Sequence, residues 1–373
     1  MGVYSYIRRK QLHRWMPAYM RHLGERRSEP KPTGPRHVIF TFCDHWEPLW
    51  NEVSDEQGSK RVQAWLEGYP ALANDYRDAD GVHPQHTFFF PGEQYRPAWI
   101  DALADLSRRR FGEVELHLHH DGDTRQTLER DIRKYLADLA RHGHFSRDAE
   151  GRPRYGFIHG NWCLANSAAD GRMCGVDDEL RALFETGCFA DFTFPAPESD
   201  AQPGIVNQIY WPVGDLGERR AYERGERARV GEVKHDRILM IEGPTALGMR
   251  RKKIPLRIEM GDVTAHDPPT AARIDQWVDA GVSVSGRPEW VFVKVHTHGA
   301  PEDEAASLLG AGGRTLHETL AARYNDGVDY VLHYATAREM FNIAIAAMSG
   351  KNGSPNTYRD YVLPPPPVRL SEA

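Results

Sequence analysis

The chain has 373 residues, 40% of them hydrophobic and 27% charged, a composition that excludes a disordered or fibrous protein. A net charge of -6 argues against a nucleic-acid partner, and no apolar run reaches the roughly 20 residues needed to cross a bilayer. Cys43, Cys163, Cys174 and Cys188 show no CxxC spacing, so neither a zinc knuckle nor a disulfide framework is implied. Free thiols fit a reducing compartment, and no apolar signal-peptide core precedes them, so the expected location is the cytoplasm.

Residues 1–36 hold nine Lys or Arg against two acids, which leaves that segment at +7 and the remainder at -13. Tyr4, Tyr6, Trp15 and Tyr19 interleave with the basic residues. Such a helix either packs its aromatic face on the body or lies on an anionic membrane surface, so peripheral membrane contact through 1–36 is an open expectation. EPKPTGPRH at 29–37 is a linker rich in Pro and Gly. The body then runs over 37–348, and 349–373 is a Pro-rich C-terminal tail. The sequence is silent on oligomeric state.

From residue 37 strand and helix alternate. HVIFTF predicts a strand, and Val62, Trp65, Leu66, Tyr69, Leu72 and Tyr76 predict a helix over 58–78. HTFFF (86–90) is a second strand, followed by a helix with Pro97 at its start. VELHL is the third strand, and Asp123 or Thr124 then caps a helix carrying Leu128, Ile132, Leu136 and Leu139. RYGFI and FADFTF are the next strands, with VDDELRALFETG between them as a helix. Residues 198–265 break the pattern: ERRAYERGERARVGEVKHDR and MRRKK read as a charged insertion, either a solvated face or a basic rim that guides an anionic substrate. A helix near 270–280, the strand WVFVKVH, a helix near 314–325, the strand DYVLHY and a helix over 336–347 follow. Alternation of this kind predicts an α/β fold with a parallel sheet.

Four of these strands stop at metal-binding or acid/base side chains. HVIFTFCDHWEP delivers Asp44 and His45, and GEVELHLHHDGD delivers His117, His119, His120, Asp121 and Asp123. RYGFIHGNW delivers His159, and EWVFVKVHTHG delivers His296 and His298. In a barrel of parallel strands the C-terminal ends share one face, and that face carries the chemistry. Four strand ends that bring His and Asp together predict a metal-dependent hydrolytic site on a distorted (β/α) barrel.

The stretch HTFFFPGEQYRPAWIDALADLSRRRFGEVELHLHHDGDT resembles the polysaccharide deacetylase (NodB-homology) family. That family has a TFF strand and a later strand reading E-I-G-x-H; its opening motif T-F-D-D is matched by Thr41-Phe42-Cys43-Asp44. FIHGNW stands where the family has R-P-P-Y-G, and VFVKVHTHG matches the strand that ends in its general-acid His. The resemblance spans about residues 37 to 345, with the middle insertion unmatched. It implies a glycoside hydrolase/deacetylase-type barrel, a carbohydrate substrate and a divalent metal ion, with zinc the leading candidate. Asp44, His119 and Asp123 fall on its metal-ligand positions, although Asp123 stands where the family has a second His and would serve equally as a helix N-cap. The general-base Asp falls on Cys43, a poor substitute, so His45 or Glu47 is the alternative base.

Amide hydrolysis needs a polarised carbonyl, an activated water and a proton for the departing amine. His298, the outermost of an alternating column with His296 and Lys294, is the expected acid, and His296 beneath it a ligand or orienting group. His117, His120, His159, Asn161 and Asp191 are the expected substrate-binding residues. Two other readings stand beside the deacetylase: a glycan-binding protein of the same fold without catalysis, and a metal-free glycoside hydrolase that uses Glu47 and Asp191.

Overall fold

The computed structural model describes residues 8–29, 32–249 and 256–370. The chain is mixed α/β, built on a large, mostly parallel sheet. Strand β1 (Arg36–His45) is central; β2 (His86–Pro91), β3 (Gly112–Leu118), β5 (Pro153–His159) and β6 (Cys188–Asp191) follow in parallel on one side, and β12 (Trp290–Thr297) flanks β1 on the other. β13 (Tyr330–Tyr334) pairs with the first half of β1, and β2 with its second half. The short β4 (Ser146–Arg147) pairs with β5. These are the runs of β-branched and aromatic residues expected as strands, buried on both faces as parallel strands are.

Register places the strand ends. Asp44 lies opposite Thr297 and Phe88, Pro91 opposite His117, and Leu118 opposite His159. The C-termini of β1, β2, β3, β5 and β12 therefore open at one level. Side chains alternate across the sheet. Val38, Phe40 and Phe42 join Val291, Val293 and Val295 beneath the outer helices. Ile39, Cys43, Phe89, Ile158 and Phe292 face the interior.

The outer layer contains α2 (Asp55–Ala73), α3 (Pro97–Arg108), α4 (Arg125–Ala140), α5 (Glu179–Thr186), α6 (Ala271–Ala280), α7 (Glu302–Leu308) and α8 (Ala311–Tyr324). The last of the expected helices, α9 (Ala337–Met348), lies elsewhere. All twelve of its residues are buried, and its apolar side chains join Ile39, Ile158 and Phe292 in the interior cluster. Its polar residues Arg338, Glu339 and Asn342 are buried too, each held by a partner: Arg338 by Glu113, Glu339 by Arg359, and Asn342 by the carbonyls of Arg359 and Leu363.

Segment 198–265 is not a charged appendage. It supplies β7 (Ile209–Pro212), β8 (Gly225–Arg227) and β9 (Leu239–Ile241) to the large sheet, and β10 (Ala246–Met249) pairs separately with β11 (Leu256–Glu259). Its strands are only three or four residues long, so the charged residues between them dominate the sequence pattern. Residues 250–253 of the basic run lie outside the described residues. A closed barrel was expected, yet among the described residues the strand order ends at β12 and β8 without a ladder joining them. The irregular segment 282–285 bridges them by single bonds: Phe292 N–H donates to Val282 O at 2.8 Å, and Ser285 N–H to Ala228 O at 2.8 Å.

Helix α1 (Leu12–Ser28) packs its aromatic face on the body, with Trp15 and Tyr19 buried against Val206. Arg14 donates to Gln202 O at 3.2 Å, and His22 Nε2 meets Ala280 O at 2.7 Å. The Pro-rich tail is anchored too, by Leu363, Val368 and Arg369. Among the described residues, no helix is long and apolar enough to cross a membrane.

Candidate functional site

Glu47 stands at the centre of the strand-end face, two residues past β1 and only 2% exposed. Its Oε1 lies 2.8 Å from His119 Nε2 and 3.6 Å from His117 Nε2, and its Oε2 lies 2.8 Å from His298 Nδ1. Ligand atoms of Glu47, His117 and His119 lie close enough together to share one ion. Both imidazoles are tied at the other nitrogen: His117 Nδ1 meets Ile158 O at 3.0 Å, and His119 Nδ1 meets a carboxylate oxygen of Glu93 at 2.7 Å. A second partner of this kind fixes the ring of a metal-binding histidine and turns its free nitrogen to the ion. His117 Nε2 is buried and has no hydrogen-bond partner.

Electrostatics follow from this crowding. Burial alone would raise the Glu47 carboxyl, but the imidazoles of His117, His119 and His298 that face it hold it far below the usual carboxylate range. Burial would lower His119, yet Glu47 and Glu93 outweigh it and raise the ring to about 10. His298 is raised in the same way, Glu47 outweighing burial. His45 has its ring 4.7 Å from those of His117 and His298; burial, then these two neighbours, push it well below its ordinary value.

The other expected site residues are placed differently. Asp44, read as a metal ligand, is outside the convergent trio: its Oδ2 meets His86 Nε2 at 2.9 Å, and its Oδ1 accepts from Gly299 N–H at 2.6 Å. Asp123 is outside it as well. Its Oδ1 accepts from Thr127 Oγ1 at 2.6 Å, its Oδ2 lies 3.3 Å from His120 Nδ1, and Thr124 is the helix cap. Cys43 points to the interior, and burial pushes its thiol up to about 12, so it stays protonated at neutral pH. His296 is buried 3.9 Å from Asp262, and burial, then Lys294, push it well below its ordinary value. Lys294 donates to the carbonyls of Phe192 and Phe194 at 2.5 and 2.8 Å.

Of the expected substrate-binding residues, His117 belongs to the trio, while His159 is fully buried and Asp191 is 1% exposed. Asp191 takes the N–H and hydroxyl of Thr193 on its two oxygens. Asn161 donates its N–H to His159 Nδ1 at 3.1 Å. His120 and His159 gather around Glu179 with Cys174, in a second group of potential ligands.

Several residues of the face carry no signal in the sequence. Glu93 sits in a short turn after β2, and Asp262 follows β11; neither ends an apolar run. Asp262 lines a cavity of about 350 Å³ with His296, His298, Trp162 and Met260. Burial raises the Asp262 carboxyl to about 6. Trp50 and Trp162 flank His298, with ring centres 4.8 and 6.1 Å away.

No family model matches the chain, and no curated protein matches it. Among solved structures it is similar to a protein from Parabacteroides distasonis provisionally assigned as a glycoside hydrolase/deacetylase, at 12% identity and a TM-score of 0.40. That match covers 82% of this chain and 71% of the other.

Proposed function

We propose that the protein is a metal-dependent hydrolase that deacetylates an N-acetylated sugar of a polysaccharide or surface glycan. The observation that carries this reading is the convergence of Glu47, His117 and His119, with both rings tied from behind and His117 Nε2 left without a partner. A buried imidazole nitrogen without a partner is costly, and an ion would relieve it. Two histidines and a glutamate are the protein ligands of a catalytic zinc site whose fourth position takes a water. The ion bound there would polarise the acyl carbonyl and acidify the attacking water.

The remaining work belongs to the chain. Asp262, raised to about 6, is a base suited to accept the water's proton near neutral pH, in place of the thiol at Cys43. His298, whose protonated form Glu47 favours, donates to the departing amine. Trp162 gives the cavity a flat wall on which a sugar ring can lie, and Trp50 flanks His298 on its other side. A cytoplasmic location, with Arg21 and Arg27 of α1 exposed toward an anionic membrane surface, goes with this reading.

Metal analysis of the purified protein, then acetate release from N-acetylated and O-acetylated oligosaccharides with and without chelator, tests the proposal. A stoichiometric ion and chelator-sensitive release from the N-acetylated substrate are expected. Protein without an ion, or release that ignores the chelator, would sink it.

A further inference from the structure

The second cluster of potential ligands has a different character. His120 follows β3, His159 ends β5, Cys174 lies in the loop between β5 and α5, and Glu179 opens α5. All four are buried. Glu179 Oε1 lies 3.2 Å from His120 Nε2 and 3.8 Å from His159 Nε2, while its Oε2 lies 3.3 Å from Cys174 Sγ. These separations are close to the edges of a tetrahedron around an ion with bonds of roughly 2.0–2.3 Å. His159 Nε2, on a fully buried ring, aims into the cluster and has no hydrogen-bond partner. Cys174 Sγ accepts from the backbone N–H groups of Asn166 and Val176 at 3.3 and 3.5 Å and donates its proton toward Glu179 Oε2 at 3.3 Å, so loss of that proton would turn the sulfur to an ion held beside Glu179.

Hydrogen bonds tie His120 and Cys174 to Glu179 but leave His159 out. Glu179 already takes Ala165 N–H on Oε2 at 2.6 Å, and nothing pairs with His159 Nε2. An ion would satisfy all four side chains together. We propose that His120, His159, Cys174 and Glu179 form a second metal site, closed and structural, that takes zinc. Four protein ligands including a thiolate leave no open position, in contrast to the three at Glu47. The ion would pin the loop between β5 and α5. That loop holds Trp162, Ala165 and Met173 at φ values of 55°, 50° and 61°, a left-handed backbone that costs such residues energy and is favoured where the surroundings hold it. Because Trp162 leaves from the same loop, the site would also set one wall of the cavity.

The test uses the full chain loaded with cobalt(II) or zinc. Wild-type cobalt protein should show a thiolate-to-cobalt charge-transfer band. Cys174→Ser should lose that band and one equivalent of metal while keeping the ion at Glu47. Glu47→Gln should do the reverse, which separates failure of this proposal from failure of the catalytic reading. Zinc-edge absorption of the wild-type protein with both sites filled should show a sulfur shell at about 2.3 Å, averaging about half a sulfur per zinc. Cleavage by trypsin at the exposed Arg172 should speed up by about tenfold or more when the ion is removed, because the loop then opens more often. Glu179→Gln, judged by the same metal count, stands in if Cys174→Ser does not fold. A wild-type protein without the thiolate band and without sulfur at the zinc edge overturns the proposal, as does a Cys174→Ser protein with unchanged metal content.

Discussion

Glu47 is ionised in a nearly dry position because three imidazoles face its two oxygens. Glu93 acts one step further out, holding His119 by Nδ1. Glu93→Gln should weaken metal affinity by roughly 10–100-fold in a competition titration, the usual worth of such a partner, and unchanged affinity would remove its positioning role. His298→Ala should keep the ion and lower turnover by about 10²–10⁴-fold. Equal turnover would move the proton donor elsewhere. Asp191 makes a different prediction. Burial raises its carboxyl from an ordinary 3.8 to about 7. Below that lower value both folded and unfolded chains hold the proton. Between the two values only the folded chain holds it, so stability falls as pH rises across this window and levels off above it. Asp191→Asn should flatten that decline in denaturant unfolding measured across the same range. A slope as steep as the wild type's would assign the decline to other groups.

At the scale of elements, the parallel strands were legible because their apolar runs are long and end abruptly, and the alternation Lys294, His296 against Val293, Val295 was legible from the period of two. Which side chains meet depends on turns that a pattern does not reveal. Gly160, just past β5, packs so close to His119 that a Cβ there would fall 2.3 Å from the ring carbon Cδ2. Gly160→Ala should therefore displace His119 and cost the ion at Glu47; a variant with full metal content would show that the ring can yield. Helix α9 was legible as a helix, but its place inside the sheet was not. Thr336 caps it, accepting from Glu339 N–H at 3.3 Å and donating to Glu113 at 2.8 Å. Thr336→Ala removes both bonds and should cost about 2 kcal/mol, read as a lowered Tm.

At the scale of the molecule, a buried ion network joins strand, helix and tail. Glu113 on β3 binds Arg338 of α9 at 2.8 Å and Arg369 of the tail at 2.6 Å, and Arg359 of the tail reaches Asp78 at 3.2 Å. Burial would raise Glu113, but the two arginines outweigh it and hold it at about 2. Arg338→Met leaves Glu113 short of one partner in the interior and should destabilise by about 3–5 kcal/mol in denaturant unfolding. A loss under about 1 kcal/mol would mean that Arg369 alone compensates. The tail from residue 349 reads in sequence as a Pro-rich extension because prolines describe local stiffness; its anchoring by Arg359 and Arg369 rests on partners more than two hundred residues away in the chain.

The amino-acid sequence by itself determined the α/β alternation, the strand ends that carry His and Asp, and the single face on which they open, because hydrophobic period and turn residues act within a few positions. Tertiary structure alone decided the partnerships. It turned Asp44 to His86 and Gly299, left Asp123 beside Thr127, brought Glu47 from the turn after β1 to His117 and His119, and gathered Cys174 and Glu179 around His120 and His159. A carboxylate at a strand end finds an ion or a hydrogen-bond donor according to which neighbouring turn reaches it first, and that is fixed by sheet register and loop path rather than by the residue's own surroundings in the chain.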